Sequence, residues 1–174
     1  MTYTHVARSG NIEPGLSDFL VAIFAEFTSF GKPEPPFLAA GDSLTIVDAH
    51  VPATGKGFYR AYQVKEMHGG KGDPVGNTGA KTLKNEFNIF IPGFDAVVLE
   101  FGANIMNEDV ITLHRDANCD AATWIQLGND CVQARIEINY TLGTIGPTGE
   151  KGLFAKVFWT GIPKFYTATV PYAP

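Results

Sequence analysis

Residues 67–82 read MHGGKGDPVGNTGAKT and limit what this chain can fold into more than any other stretch. Gly69, Gly70, Gly72, Gly76 and Gly79, with Pro74 among them, leave the segment little to bury. Glycine loses the most backbone freedom on ordering and has no side chain to contribute to a core. Connections longer than about 12 residues with no structure of their own are uncommon in compact domains, and are functional or disordered where they occur. The segment lies between two strand-like runs, so it reads as a long glycine-rich arm that orders against another surface. Such an arm points to a protein whose work is assembly.

A length of 174 residues fits a single domain spanning residues 1–174, long enough to bury a core. Thirteen phenylalanines, nineteen glycines and eleven prolines indicate pleated strands joined by many turns, hence a mainly β chain. A formal net charge of −5 and a pI near 5.3 argue against a general nucleic-acid binder, which needs a basic face to neutralise phosphates. They do not argue against DNA passing by, since a conduit needs weak sticking. The polar N-terminus lacks the pattern of a secretory signal, so export by that route is not expected. The most apolar run, residues 16–27, is interrupted by Asp18 and Glu26 and falls short of the roughly 20 residues of a membrane helix. The two cysteines, Cys119 and Cys131, allow either a single bridge across a hairpin or two buried thiols.

Along the chain, LSDFLVAIFAEF is compatible both with a helix and with a strand buried on two faces. The prolines of GKPEPP then end whichever element precedes them. LTIVDAHV and FYRAYQVKEM read as strands on either side of a PATGKG turn, and EFNIFIP as a strand ending in a Pro92-Gly93 turn. Phe94, Val97, Val98, Phe101 and Ile105 share one stripe, which predicts a helix near residues 94–106. VITLHR, TWIQL, CVQARIEINYTL, GLFAKVFWTG and KFYTATV are five further strand candidates.

Motifs that would carry chemistry are incomplete. GNTGAKT looks like a phosphate-binding loop, but Ala80 stands where the glycine before the lysine belongs, and a strand rather than a helix follows. DANCD begins like a calcium loop, yet Ala121 and Leu127 occupy the turn-glycine and bidentate-glutamate positions. His114, Cys119 and Cys131 fall one ligand short of a closed zinc site. No GxSxG elbow is present, His5, His50 and His68 are scattered, and Asn139-Tyr140-Thr141 reads as part of a strand. No catalytic, cofactor-binding or metal-binding residue is assigned.

The order of these parts, with FNIFIPG, WIQLGND, IEINYTLGT and KGLFAKVFWTG in sequence, resembles the tail tube proteins of tailed bacteriophages. It is more distantly similar to the tube proteins of contractile injection systems. The likeness covers residues 43–170 in layout; residues 1–36 have no counterpart and stand as an N-terminal extension, either an added arm or a further strand. The resemblance implies a β-sandwich or barrel-like fold with one flanking helix. It further implies homo-hexameric rings that stack into a tube of the virion tail, made in the cytoplasm of a host bacterium, with other tail proteins as partners and DNA passing unbound. In that family the arm reaches an adjacent subunit or ring, which places the assembly interface on Gly69, Gly70, Lys71, Gly72, Asp73, Pro74, Gly76, Asn77, Gly79, Lys81 and Lys84. A head-to-tail ring or a tail terminator would share these features. Two readings from other classes stand beside it: a hydrolase on a β-sandwich, and a carbohydrate- or ligand-binding module with Tyr59, Tyr62, Trp124 or Trp159 as stacking platforms. Core packing competes for each of those aromatics.

Overall fold

The computed structural model describes residues 16–61, 63–64, 67–116, 123–143 and 150–174. Among them the chain is mainly β, with one α-helix and several sheets, none closed into a barrel. The strands are β1 (Leu16–Ile23), β2 (Phe27–Ser29), β3 (Thr45–Ile46), β4 (Val51–Pro52), β5 (Tyr59–Arg60), β6 (Gly69–Val75) and β7 (Thr82–Pro92). After helix α1 (Ala96–Ile105) come β8 (Val110–Asp116), β9 (Trp124–Leu127), β10 (Arg135–Thr141), β11 (Gly152–Thr160) and β12 (Lys164–Tyr166). A six-stranded sheet has the order β3-β12-β9-β8-β1-β5, and a four-stranded sheet the order β10-β11-β7-β6. β2 and β4 form a separate pair.

Of the run compatible with both helix and strand, residues 16–23 are β1, a strand inside the six-stranded sheet, while Phe24–Glu26 form a 3-10 turn and Phe27 begins β2. Both faces of β1 are buried, which is why the run carries no polar alternation. Phe19 and Val21 enter one core, shared with Phe87, Ile89, Ile136, Leu153, Ala155 and Val157 of the four-stranded sheet. Leu20 and Ala22 enter a second core with Phe58, Ile111, Leu113, Trp124 and Tyr166, flanked by Phe24, Phe27 and Phe30. Residues 16–23 of the expected N-terminal extension are therefore interior sheet rather than an appended arm.

Two expected strands are shorter than their patterns suggest because the chain changes sheets within them. Tyr59 and Arg60 pair with β1, while Val64 donates its N–H to Phe90 of β7, in the other sheet. LTIVDAHV gives only β3 and β4, separated at His50, whose ring turns into the second core. The helix lies where its stripe placed it. Asp95 caps it, accepting from the Val98 N–H at 2.8 Å, and Gly102 and Ile105 face the first core. A Cβ on Gly102 would lie 2.8 Å from Leu153, so this glycine permits the helix to sit close against β11.

The glycine-rich stretch is not a free arm. Residues 69–75 form β6, paired antiparallel with β7 over seven rungs from Gly69 opposite Asn88 to Val75 opposite Thr82. The eleven residues of β7 supply a continuous template, and the ladder's hydrogen bonds need no side chains from β6. Gly70 lies under the Phe87 ring, where a Cβ would stand 2.5 Å from a ring carbon. Gly76 and Gly79, at φ of 104° and 91°, make the left-handed turns of the hairpin end.

Candidate assembly surface

The residues expected to form the assembly interface all lie on the β6–β7 hairpin, as an edge strand and its turn. Gly69, Gly70, Lys71, Gly72, Asp73 and Pro74 are in β6, Gly76, Asn77, Gly79 and Lys81 are in the turn, and Lys84 is on β7 opposite Asp73. Gly70 to Pro74 are exposed. β11 ends at Thr160, opposite Lys84, so the last two rungs and the turn extend past the neighbouring strand. Asn85 anchors the base of this extension. Its buried amide donates to the carbonyls of Leu83, Trp159 and Gly161 at 3.3, 3.2 and 2.8 Å.

The four-stranded sheet has two distinct faces, because successive side chains point to opposite sides. One face carries Phe87, Ile89, Ile136, Leu153, Ala155 and Val157 into the first core. The registers place Arg135, Glu137, Phe154, Lys156, Phe158, Glu86, Lys84, Lys71 and Asp73 on the other. Charges of both signs interleave there. Lys156 donates to Glu86 at 3.0 Å, which holds the Glu86 carboxyl below the usual range, and Lys71 lies 3.4 Å from Asp73.

The edges of the two large sheets differ. The six-stranded sheet ends on the two-residue strands β3 and β5, too short to offer a template. The four-stranded sheet ends on β6 and β10, each of seven residues, and among the described residues no strand pairs with the outer side of either.

Other candidates are placed as follows. Trp124 and Trp159 are core residues, 2% and 5% exposed, and the Trp159 indole N–H donates to the Val132 carbonyl, so neither is a stacking platform. Tyr59 lines a cavity of about 460 Å³ with Glu26, Lys56, Phe101, Asn104 and Glu108. The Tyr59 hydroxyl and the Lys56 ammonium each donate to Glu26 at 2.6 Å, and that bond to Glu26 raises the pKa of both donors. Tyr62, Cys119 and most of the DANCD segment lie outside the described residues. Cys131 is an exposed free thiol in a turn held by the Asn129 side chain, which corrects the reading of it as buried. Asn139 to Thr141 lie in β10.

Three histidines are interior, a feature their scatter in the sequence concealed. His68 and His114 share a 3.0 Å hydrogen bond between the sheets, and the second nitrogen of His114 meets the Thr112 hydroxyl at 3.0 Å. Both nitrogens of His114 are thus engaged within the protein, and among the described residues no group of three or more His, Cys, Asp or Glu is arranged to hold a metal ion. Burial lowers the pKa of His68 and of His50 to about 4 and holds His114 well below its ordinary value.

The chain matches no protein-family model, no curated protein and no solved structure.

Proposed function

We propose that this chain is a self-assembling ring subunit, a tail-tube or tube-like virion protein built as a β-sandwich, whose rings stack around a passage for DNA. The observation that carries the reading is the pair of edges that the four-stranded sheet leaves open among the described residues. All three pairings in that sheet are antiparallel, so its two edge strands, β6 and β10, run in opposite directions. A second copy related by rotation about an axis along the strands therefore brings its β10 beside β6 of the first, again antiparallel. A contact of this kind joins two different surfaces and repeats until the rotation closes into a ring. It also covers two strand edges that a solitary subunit would leave open to aggregation.

The exposed sheet face suits a passage. Arg135, Lys156, Lys71 and Lys84 are interspersed with Glu137, Glu86 and Asp73, so no single-sign field would hold a polyanion in place. Negative-stain electron microscopy with light scattering across concentration tests the reading, and rings or tubes with an open centre are the expected result. Deleting residues 69–79 removes β6 and abolishes them. A chain that stays monomeric at every concentration refutes the proposal.

A second reading, a ligand-binding module, draws on the 460 Å³ cavity, where Glu26, Lys56 and Asn104 surround the aromatic rings of Tyr59 and Phe101. Saturable binding of a simple glycoside to the monomer, lost in Tyr59→Ala, would favour it.

A further inference from the structure

The hydrogen bonds of the four-stranded sheet determine which backbone groups its open edges offer. Ala134 exchanges both of its backbone hydrogen bonds with Val110, at 3.1 and 2.8 Å, on the side away from β11. Peptide groups alternate in direction along a strand, so those of Ile136, Ile138 and Tyr140 also face the open side, while Arg135, Glu137 and Asn139 bond β11. Carrying the alternation across β11 and β7 directs Lys71 and Asp73 toward β7 and leaves Gly70, Gly72 and Pro74 facing outward. Three other contacts agree. Gly161 donates to Leu83 on the β11 side of β7, Leu16 donates to the outward carbonyl of His68, and Pro74 has no N–H to expose.

We propose that β6 of one copy pairs with β10 of the next in the register that sets Gly70 opposite Ile138 and Gly72 opposite Ile136. This rests on the ring reading above and names its contact. Four backbone hydrogen bonds form across the joint, two from each glycine. The ladder ends cleanly on both sides. At one end Pro74, which cannot donate, meets Ala134, whose groups Val110 already occupies; at the other the His68 carbonyl is taken by Leu16.

Charge selects the same register. Lys71 comes opposite Glu137 and Asp73 opposite Arg135, all four exposed on the same sheet face. The internal pairs Lys71–Asp73 and Arg135–Asp109, each at 3.4 Å, leave these groups able to bond across the joint. Sliding β10 two residues one way sets Lys71 against Arg135 and Gly72 against the occupied Ala134. Sliding it two residues the other way sets Asp73 against Glu137 and leaves the Ile136 carbonyl facing Pro74. One-residue slips turn the core face of one copy to the exposed face of the next. Gly70 and Gly72 bring no side chains to the core face, so Ile136 and Ile138 of the next copy meet no bulk there.

The test is oxidative cross-linking in the full chain with Cys119 and Cys131 replaced by serine. Lys71 and Glu137 would form a pair without direct hydrogen bonds, the kind in which Cα atoms stand about 4.5 Å apart, within disulfide reach. The K71C/E137C chain is expected to give a ladder of covalent multimers, and K71C/R135C and K71C/N139C none. D73R is expected to raise the critical concentration for assembly roughly fivefold or more, and D73R/R135D to restore it. A ladder from K71C/R135C or K71C/N139C instead overturns the register while the ring reading stands, as do rings that form with no ladder from any pair. Parent protein that never assembles overturns both.

Discussion

Acid should weaken this fold through His50, and the size of the effect follows from its surroundings. The ring stacks on Tyr166 at a 4.5 Å centroid distance, with Phe27, Phe30 and Phe58 around it. Its Nδ1 accepts the Gly31 N–H at 2.9 Å, so Nε2 carries the proton and donates to Gln126 at 2.9 Å. A second proton could go only on Nδ1, where it would oppose the Gly31 N–H inside an apolar cage. The folded pKa of about 4 lies below the ordinary 6.5, mainly through desolvation, so the unfolded chain binds the proton more readily. The contribution is full above pH 6.5, declines as pH falls toward about 4 and changes no further below that; at about 1.4 kcal/mol per pH unit it amounts to about 3 kcal/mol. Urea unfolding of monomeric protein at about pH 7.5 and about pH 4, for the parent chain and His50→Gln, measures it. The variant should be less stable at neutral pH but lose about 3 kcal/mol less on acidification, with the remaining decline coming from the other buried histidines, His68 and His114, and from Glu86. Equal acid sensitivity in the two proteins would refute the assignment of His50 as a buried neutral base.

Three other substitutions probe the supports of the surface. Asn85→Ala removes the side-chain donor shared by three carbonyls at the hairpin base and should cost about 1–3 kcal/mol, with faster hydrogen exchange at Gly161, whose N–H bonds Leu83. Asp95→Ala removes the helix cap and should lower stability by about 1 kcal/mol in thermal unfolding. Cys131→Ser, at an exposed turn, should change stability by no more than about 0.5 kcal/mol and leave assembly intact by electron microscopy.

The parts legible in the sequence were those whose burial pattern is local. The 94–106 stripe is α1 because a helix needs only its own hydrogen bonds and one apolar face, and β7 to β12 follow short runs bounded by turn residues. Residues 16–23 were not decidable, since a strand buried on both faces and a buried helix present the same unbroken apolar run. The glycine-rich stretch reads as an arm and not as a strand for a related reason. A strand held by a long neighbour needs no alternation of its own, and composition does not report which strand lies beside it.

By itself, then, the sequence established a mainly β chain with one helix, and the position and composition of the segment that became the β6–β7 hairpin, because these follow from propensity and short-range periodicity. Tertiary structure alone decided that, among the described residues, β6 and β10 are the two open edges of an even-stranded antiparallel sheet, with their charges on one face. That fact depends on pairings between residues as far apart as Glu86 and Phe158, and on the Val110–Ala134 contact that orients the edge of β10. Long-range hydrogen bonding of this kind leaves no imprint on the local pattern of either strand.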